Sequence, residues 1–304
     1  MSDMLDDRLT EQRNPRSTNL DALAPLALVQ LINREDRGVA EAVGREAESI
    51  AKAMGLVAET FRGGGRLFYV GAGTSGRLGV LDAAEMPPTY GTNPELVQGV
   101  IAGGYEALVR SQEGAEDHPE TGAADLARRG VRPGDFVLGI ATSGTTPYVH
   151  GALAHARSVG ARTGFLLCTP PSAELASTHD VVIAPLVGPE VVTGSTRMKA
   201  GTATKLVLNT LTTGAMVLTG KVWGNLMVDL EVTCEKLQDR GERILCVTLG
   251  VARPVAKELL DAAEGKVKVA IVMHRLGVGA EEARDRLARA EGRVEAVFGG
   301  EGGP

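Results

Sequence analysis

The chain has 304 residues, of which 43% are hydrophobic and only 3% aromatic, and it contains 39 glycines. This length accommodates one large α/β domain with helical extensions, and the small side chains indicate close packing of helices on a sheet. The net charge of −6 and the scarcity of aromatic rings argue against a nucleic-acid-binding protein, since such proteins carry clustered basic surface and rings for base stacking.

Targeting segments and metal-site patterns are not visible in the sequence. The N-terminal segment is charged and lacks the apolar stretch of a secretory signal, and no apolar run reaches the roughly 18 residues of a membrane span. The three cysteines, Cys168, Cys234 and Cys246, form no C-x-x-C pair, and the five histidines have no metal-type spacing. We therefore expect a cytoplasmic protein without a metal site and without a disulfide framework.

The first two thirds of the chain predict alternating strands and helices. Residues 1–20 are expected to form a loose polar arm, and residues 21–61 carry apolar side chains at three- and four-residue steps, which indicates helix. The predicted strands are Leu67–Val70, Leu96–Ile101, Phe136–Ile140, Gly164–Leu167 and Val181–Pro185, and the predicted helices lie near 76–85, 105–112, 119–129, 147–159 and 172–177. Such alternation is typical of a flavodoxin-like α/β fold with a five-stranded parallel sheet, and it favours the strand order 2-1-3-4-5.

The pattern changes after the fifth strand. A long buried helix rich in Thr, Ala and Gly is predicted at 195–220, a second helix at 225–246, and a small helical bundle from about residue 250. We therefore expect three parts: an N-terminal arm and helices at 1–60, a central α/β domain at 61–224, and a linking helix with the bundle at 225–304.

The loop after the first strand reads GAGTSG and matches G-x-G-x-x-G, a pattern often found where a dinucleotide binds. A dinucleotide site also has an acidic residue about 20 positions later, at the tip of the second strand. Here the second strand ends in Ile101-Ala102-Gly103-Gly104, with no acid at its tip. The pattern therefore favours a different phosphate ligand.

The third predicted strand runs into a second loop of the same kind, ATSGTTPY. In the order 2-1-3-4-5, strands 1 and 3 are neighbours, so both loops would open into one crevice at the start of two helices. Helix N-termini and hydroxyl groups bind phosphate well, which predicts a phosphomonoester site. The alternative is that these residues are ordinary helix N-caps. The candidate ligands are Thr74, Ser75, Gly76, Thr142, Ser143, Gly144 and Thr146.

A third polar cluster, VGPEVVTGSTRMKAGTATK, begins at residue 187 and opens the long helix. Thr193 and Ser195 are plausible helix caps, and Ser195 is also a candidate ligand. Arg197 and Lys199 would offset the charge of a phosphorylated ligand. The alternative is a capped helix with cations exposed to solvent.

Two carboxylates are candidates for acid–base work. Glu85 follows an apolar helical stretch and precedes Pro87-Pro88, which we expect to end the helix and to fix Glu85 at a rigid end. Glu116 lies in QEGAED, just past the second strand–helix unit. Two carboxylates in one cleft can divide acid and base duties. The alternative for each is an ordinary surface glutamate, as we expect for the nearby Glu113.

These motifs together resemble the bacterial N-acetylmuramic acid 6-phosphate etherases. The resemblance covers roughly residues 10–300 and is carried, in chain order, by GAGTSGRLGVLDAAEMPPTYG, IAGG, EGAED, ATSGTTPYV, GPEVVTGSTRMKAGTATKLVLN and KVWGNLMVDL. It implies a sugar isomerase (SIS) domain, a helical tail similar to a ubiquitin-associated bundle, and a phosphosugar substrate. It also implies cleavage of the D-lactyl ether at C3 of N-acetylmuramate 6-phosphate, in sugar recycling from peptidoglycan, without a metal or organic cofactor.

The resemblance also implies roles for individual residues. Glu85 matches the family's acid and base for the lactate and water steps, and Glu116 matches the catalytic acid that acts at C2. Ser75, Ser143 and Thr146 match the phosphate site. Two departures are visible: Thr145 stands where an arginine is common, which removes a cationic contact, and Met86 replaces a common cysteine.

Three other functions are alternatives to the etherase. An aldose–ketose isomerase on the same fold would not need a group to expel lactate, so Glu85 favours the etherase. A non-catalytic sugar-phosphate-binding regulator, similar to glucokinase regulatory proteins, would have two SIS domains, whereas this chain has length for one. A transcription regulator would need a basic helix-turn-helix, which the sequence does not contain.

The spacing of the candidate residues has a consequence for assembly. Ser75 and Glu85 are ten residues apart, so on one straight helix they would lie about 15 Å apart, and C3 and phosphorus of one sugar phosphate lie about half as far apart. Either the helix bends or ends near Gly79, or Glu85 serves a site completed by a second subunit. SIS-domain proteins are commonly dimers, and we therefore expect a homodimer.

Overall fold

The fold is described from a computed structural model, which covers residues 8–230, 232 and 235–299. Cys234 and the first seven residues of the predicted arm lie outside the described residues. The chain divides into two compact units, one formed by Met1–Ala84 with Glu95–Thr212 and the other by Glu85–Pro94 with Thr213–Pro304.

The first unit contains a five-stranded parallel sheet. Its strands β1 to β5 are Leu67–Gly71, Val97–Ile101, Phe136–Ile140, Arg162–Leu166 and Val181–Ile183, in the order β2-β1-β3-β4-β5. The predicted order is confirmed. Residues of β1 and β3 are almost completely buried on both faces, as expected when helices cover both sides of a parallel sheet.

The helices of this part of the chain follow the predicted alternation. In chain order, α1 to α8 are Pro25–Gly44, Ala47–Arg62, Gly73–Tyr90, Glu106–Val109, Pro119–Arg128, Pro147–Ser158, Ala173–Thr178 and Lys199–Leu218. Short 3-10 helices lie at Pro15–Ser17, Leu20–Ala22 and Ala115–Asp117. The predicted helical stretch 21–61 is two helices, and α3 and α8 each begin in the first unit and end in the second.

One local prediction about α3 is wrong. The two prolines were expected to end the helix at Glu85, but α3 continues through Pro87 and Pro88 to Tyr90. Proline lacks an N–H group, so these positions cannot donate to the carbonyls of Ala83 and Ala84, four residues earlier. Glu85 therefore lies on the exposed side of a continuous helix and not at a rigid end.

The second unit contains a short hairpin and a group of helices. Its strands β6 and β7 are Val222–Trp223 and Leu226–Met227, paired antiparallel, and its helices α9 to α13 are Glu235–Leu249, Arg253–Ala262, Val267–Leu276, Ala280–Arg289 and Val294–Val297. The helix predicted at 225–246 is wrong in its first part, because the tight turn at Gly224, which has a positive φ of 57°, reverses the chain into the hairpin. Within the described ranges, no helix has the length and apolarity needed to span a bilayer.

Candidate active site

The two hydroxyl-bearing loops meet because their strands are neighbours. β1 and β3 pair along their whole length, with Gly71 opposite Ile140, and α3 and α6 begin just beyond them. A Cβ atom at Gly71 would lie 2.7 Å from the backbone nitrogen of Gly76, and one at Gly76 would lie 2.6 Å from the side chain of Ile101. The glycines of the GAGTSG motif therefore allow α3 to pack closely on the sheet, without any need for a dinucleotide.

A cavity of about 260 Å³ lies between these loops. Both helix N-termini face it, and the first-turn N–H groups of a helix have no acceptor within the helix. Such a place attracts anions. The predicted residues that line the cavity are Thr74, Ser75, Thr142, Ser143, Thr146 and Glu116.

Three backbone carbonyls of the second loop have polar partners that hold the loop in place. The Cys168 N–H donates to the Thr142 carbonyl at 2.8 Å, the Thr169 hydroxyl donates to the Ser143 carbonyl at 3.3 Å, and a ring nitrogen of His150 lies 2.8 Å from the Gly144 carbonyl. Thr146 is the N-cap of α6, but its side chain makes no capping hydrogen bond. For Thr146 the simple capping interpretation does not hold, and the residue lines the cavity.

The two glycines among the candidate phosphate ligands, Gly76 and Gly144, shape the loops. Gly76 packs against β1 as described above, and Gly144 has a positive φ of 78°, which the turn requires. Neither lines the cavity. Their contribution is to shape the loops that carry Ser75 and Ser143.

The candidate ligands in the cluster before α8 do not line the cavity. Ser195 and Arg197 do not line the cavity, although Thr196 between them does. Lys199 is almost completely buried, and its ammonium group lies 2.9 Å from Glu35 Oε2. It forms a structural ion pair and does not line the cavity.

The start of α8 is capped by a buried carboxylate and not by Thr193 or Ser195. Glu190, which is 1% exposed, accepts hydrogen bonds from the backbone N–H groups of Lys199 and Ala200, at 3.0 and 2.9 Å. Burial raises the pKa of Glu190, and the two N–H groups oppose that change.

The two candidate carboxylates occupy different surroundings. Glu116 is half-buried on the 3-10 helix Ala115–Asp117 and lines the cavity. Glu85 is exposed on α3 and does not line the cavity of its own chain. Glu113, expected to be an ordinary surface residue, also lines the cavity, where the Ser111 hydroxyl donates to its carboxylate at 2.9 Å.

Sequence reasoning missed two arginines at the cavity. Arg77 lines it and donates from Nε to the Leu108 carbonyl at 3.2 Å. Arg8 also lines it, and its Nη1 donates to the Thr145 hydroxyl at 3.0 Å; the Thr145 and Ser143 hydroxyls are themselves 3.0 Å apart. Arg8 thus supplies a guanidinium group at the loop position where Thr145 itself lacks one.

The N-terminal segment that carries Arg8 is anchored to the first unit. The Asn14 amide donates to Glu35 at 2.8 Å and to the Pro189 carbonyl at 3.1 Å, and the Ser17 hydroxyl donates to the Val191 carbonyl at 2.8 Å. From residue 8 onward the predicted loose arm is therefore fixed to the unit. Its polar sequence gave no signal of this, because the partners are the Glu35 carboxylate and two backbone carbonyls far along the chain.

Among the residues described, no group of three or more His, Cys, Asp or Glu side chains is arranged so that it could hold a metal ion.

The strand order and the paired loops define a protein with an SIS domain, the phosphosugar-binding class of α/β fold. Residues 49–157 match the family described as the glucokinase regulatory protein N-terminal SIS domain. The fold is also similar, at a TM-score of 0.47 and 19% identity, to a phosphoheptose isomerase from Neisseria gonorrhoeae, over 63% of this chain and 98% of that one.

Full-length relatives identify the family within this class. The chain is 53% identical over 298 residues to the N-acetylmuramic acid 6-phosphate etherase of Rhodopirellula baltica, which covers 98% of each chain. It is 54% identical over 300 residues to the etherase of Synechococcus elongatus, covering 98% of this chain and 97% of that one. The chain belongs to the N-acetylmuramic acid 6-phosphate etherase family.

Proposed function

We propose that this protein is a carbon–oxygen lyase that cleaves the D-lactyl ether of N-acetylmuramate 6-phosphate, giving N-acetylglucosamine 6-phosphate and D-lactate. The observation that carries the proposal is the identity of more than 50% with etherases along nearly the whole chain. The cavity supports it, because hydroxyl groups, two helix N-termini, two arginines and three carboxylates surround one space suited to a small phosphosugar. We place the reaction in the cytoplasm.

The chemistry requires a base and an acid. An ether oxygen is a poor leaving group, but the C2 hydrogen becomes acidic once the sugar ring opens and C1 is an aldehyde. A base removes the C2 proton, an acid protonates the departing lactate oxygen, and an unsaturated aldehyde forms. Water then gives one proton to a carboxylate as its oxygen bonds to C3, and C2 takes a proton back from the other carboxylate, which restores the saturated sugar. Two carboxylates suffice for these transfers.

Glu116 is proposed as the group that acts at C2. It is half-buried in the cavity wall, on the same side of the sheet edge as the loops proposed to bind the phosphate. Ser75, Ser143 and Thr146 would donate hydroxyl hydrogen bonds to the phosphate, and Arg8 would add positive charge beside the second loop.

Glu85 is proposed to act at C3 in the cavity of a second copy of the chain. It does not line its own cavity, and α3 continues past Gly79, so the helix does not end early and bring Glu85 back toward Ser75. Along the helix axis Ser75 and Glu85 are about 15 Å apart, too far for the two ends of one sugar phosphate. We propose on this basis a homodimer in which each site is completed by both chains.

The activity is tested directly by incubating the protein with N-acetylmuramate 6-phosphate and measuring D-lactate. Lactate release is expected from the wild type and not from Glu116→Gln, whereas Glu113→Gln is the matched control because it removes a neighbouring cavity charge without a proposed role. Conversion of the sugar without lactate would support an isomerase. Binding without any conversion would support a sugar-phosphate-binding regulator.

The roles of the two acids separate in deuterated water. Glu85→Gln is expected to lose lactate release but to retain exchange of the C2 hydrogen with solvent, and Glu116→Gln is expected to lose that exchange. Proton NMR of the sugar measures both. The opposite pattern would reverse the assignment.

The shared site is tested by mixing inactive Glu85→Gln with inactive Ser75→Ala/Ser143→Ala. In a hybrid dimer with sites made by both chains, one site carries every functional group and the other carries all the substitutions, so activity returns in part. Hybrids that form without producing lactate would place Glu85 in the site of its own chain.

A further inference from the structure

The second unit contains a separate cavity of about 310 Å³ whose lining has an excess of positive charge. Its charged lining consists of four basic side chains and one acidic one: Lys221, Lys266, Lys268, Arg284 and Asp229. The volume lies at the lower end of the roughly 300–1,000 Å³ range of small-molecule sites. It shares no lining residue with the cavity of the first unit.

The basic groups outnumber the only acid in this lining. Asp229 Oδ2 lies 2.5 Å from the Lys221 ammonium and 3.2 Å from the Lys268 ammonium, so one carboxylate serves two cations. The side chain of Lys268 is only 9% exposed, and burial lowers its pKa although Asp229 opposes the change. A charge removed from water in this way is stabilised by any further anion that enters the cavity.

Arg284 adds a donor that its own chain does not use fully. Its Nη2 atom is buried and makes no hydrogen bond, although Glu264 Oε2 lies 2.7 Å away as an ion-pair partner. A guanidinium nitrogen in this position is ready to donate to an additional acceptor.

Backbone N–H groups add to the positive potential in this cavity. The N-cap and first turn of α11, Lys266 to Val269, line the cavity, and no side chain caps this end of the helix. The N–H groups of Val267, Lys268 and Val269 belong to the first turn, which has no acceptor within the helix. The positive end of the helix dipole thus adds to the four cations.

We propose that this cavity is a second phosphate-binding site, which takes inorganic phosphate or the phosphate group of a small phosphorylated metabolite. A dianion matches the excess of positive charge, and its oxygens can accept from the ammonium, guanidinium and backbone donors together. The apolar wall formed by Val228, Leu230 and Leu287 leaves space for an organic part beside the phosphate.

The proposal is tested by NMR titration of the full chain, following the backbone amide signals of Val267, Lys268 and Val269. The probes are inorganic phosphate, glucose 6-phosphate, and sodium chloride at the same ionic strength. The variants are Lys268→Met with Arg284→Gln in one chain, and Arg284→Gln alone in case the double variant does not fold. The matched control is Lys257→Met, which removes an exposed lysine of the same unit that does not line the cavity.

Saturable shifts of these amides with phosphate or glucose 6-phosphate are expected in the wild type and in Lys257→Met. Binding is expected to weaken at least tenfold in the double variant and detectably in Arg284→Gln. The shifts should persist in Ser75→Ala/Ser143→Ala, which separates this site from the first cavity. Tighter binding of glucose 6-phosphate would identify a phosphorylated metabolite, and equal binding would identify free phosphate. Shifts equal to those with chloride, or unchanged in both Arg284 variants, would overturn the proposal.

Discussion

Replacing Glu35 with Gln tests the buried ion cluster that anchors the N-terminal segment. Glu35 accepts hydrogen bonds from Asn14, Arg16 and Lys199, and its carboxylate is only 3% exposed. The amide would leave the Lys199 ammonium, which is 2% exposed, without its counter-charge. Breaking a buried pair in this way costs about 3–5 kcal/mol of unfolding free energy.

The pKa of Glu35 gives a second figure for how much its carboxylate stabilises the folded protein. The hydrogen bond from Arg16 is the main cause that lowers the pKa of Glu35 from 4.5 to about 2, with Lys199 and Asn14 adding to it. This difference corresponds to about 3 kcal/mol. Because the pKa is lower in the folded protein, the stabilisation is complete above about pH 4.5 and is lost as the pH falls toward 2.

The assay is thermal unfolding followed by circular dichroism, at pH 7 and at steps down to pH 3. Glu35→Gln is expected to lower Tm by roughly 6–20 °C at pH 7, if each kcal/mol shifts Tm by about 2–4 °C. The difference from wild type should shrink below pH 4.5. The matched control is Glu59→Gln, whose carboxylate is 59% exposed and pairs with Arg162 at the surface, and which is expected to change stability by less than about 1 kcal/mol.

A second variant decides whether the buried charge is the cause. Glu35→Gln with Lys199→Met removes the unpaired ammonium and should be more stable than Glu35→Gln alone. If Glu35→Gln unfolds like the wild type, or if the double variant is no more stable than the single one, the reasoning from the ion pair is refuted.

Further predictions concern the substrate cavity and its support. Arg8→Ala should raise KM severalfold with little change in kcat, because Arg8 is proposed to bind the substrate and not to transfer protons; steady-state kinetics measure this, and an unchanged KM would remove Arg8 from the site. Ser75→Ala should weaken substrate binding about tenfold or more, through loss of a donor to a charged acceptor, and full-strength binding by calorimetry would contradict it. Asp82→Asn should destabilise α3, since Oδ1 of the buried Asp82 pairs with the Lys205 ammonium at 3.2 Å and an amide nitrogen in that place cannot accept from it; thermal unfolding measures it, and an unchanged Tm would count against it. A chelator should leave lactate release unchanged, and a loss restored by a divalent ion would contradict the two-carboxylate chemistry.

The central sheet could be predicted because its signals are local. Each strand is a short apolar run followed by a helical pattern. Five strands that alternate with helices in this way favour the strand order of a flavodoxin-like sheet, which the structure has. The pairing of β1 with β3 then places the loops of Ser75 and Ser143 side by side. The hairpin at Val222–Met227 was missed because two residues per strand carry too little periodicity to distinguish them from a helix.

The rest of the site depends on contacts between distant parts of the chain. Arg8 reaches the cavity because Asn14 and Ser17 bind carbonyls more than 170 residues away, which no local pattern signals. Lys199 was predicted at the ligand since it stands beside a polar loop, but its partner Glu35 lies in α1. The prolines after Glu85 signalled a helix end, yet α3 continues because packing outweighs the lost hydrogen bonds.

The interleaved path of the chain limits how such a protein can be recombined. Its second unit includes Glu85–Pro94 as well as Thr213–Pro304, so no single cut separates the two units. A gene fragment for the C-terminal tail would lack the end of α3, and a tail exchanged between two relatives would meet a foreign 85–94 segment. Mutations in these two distant stretches must therefore remain compatible with each other.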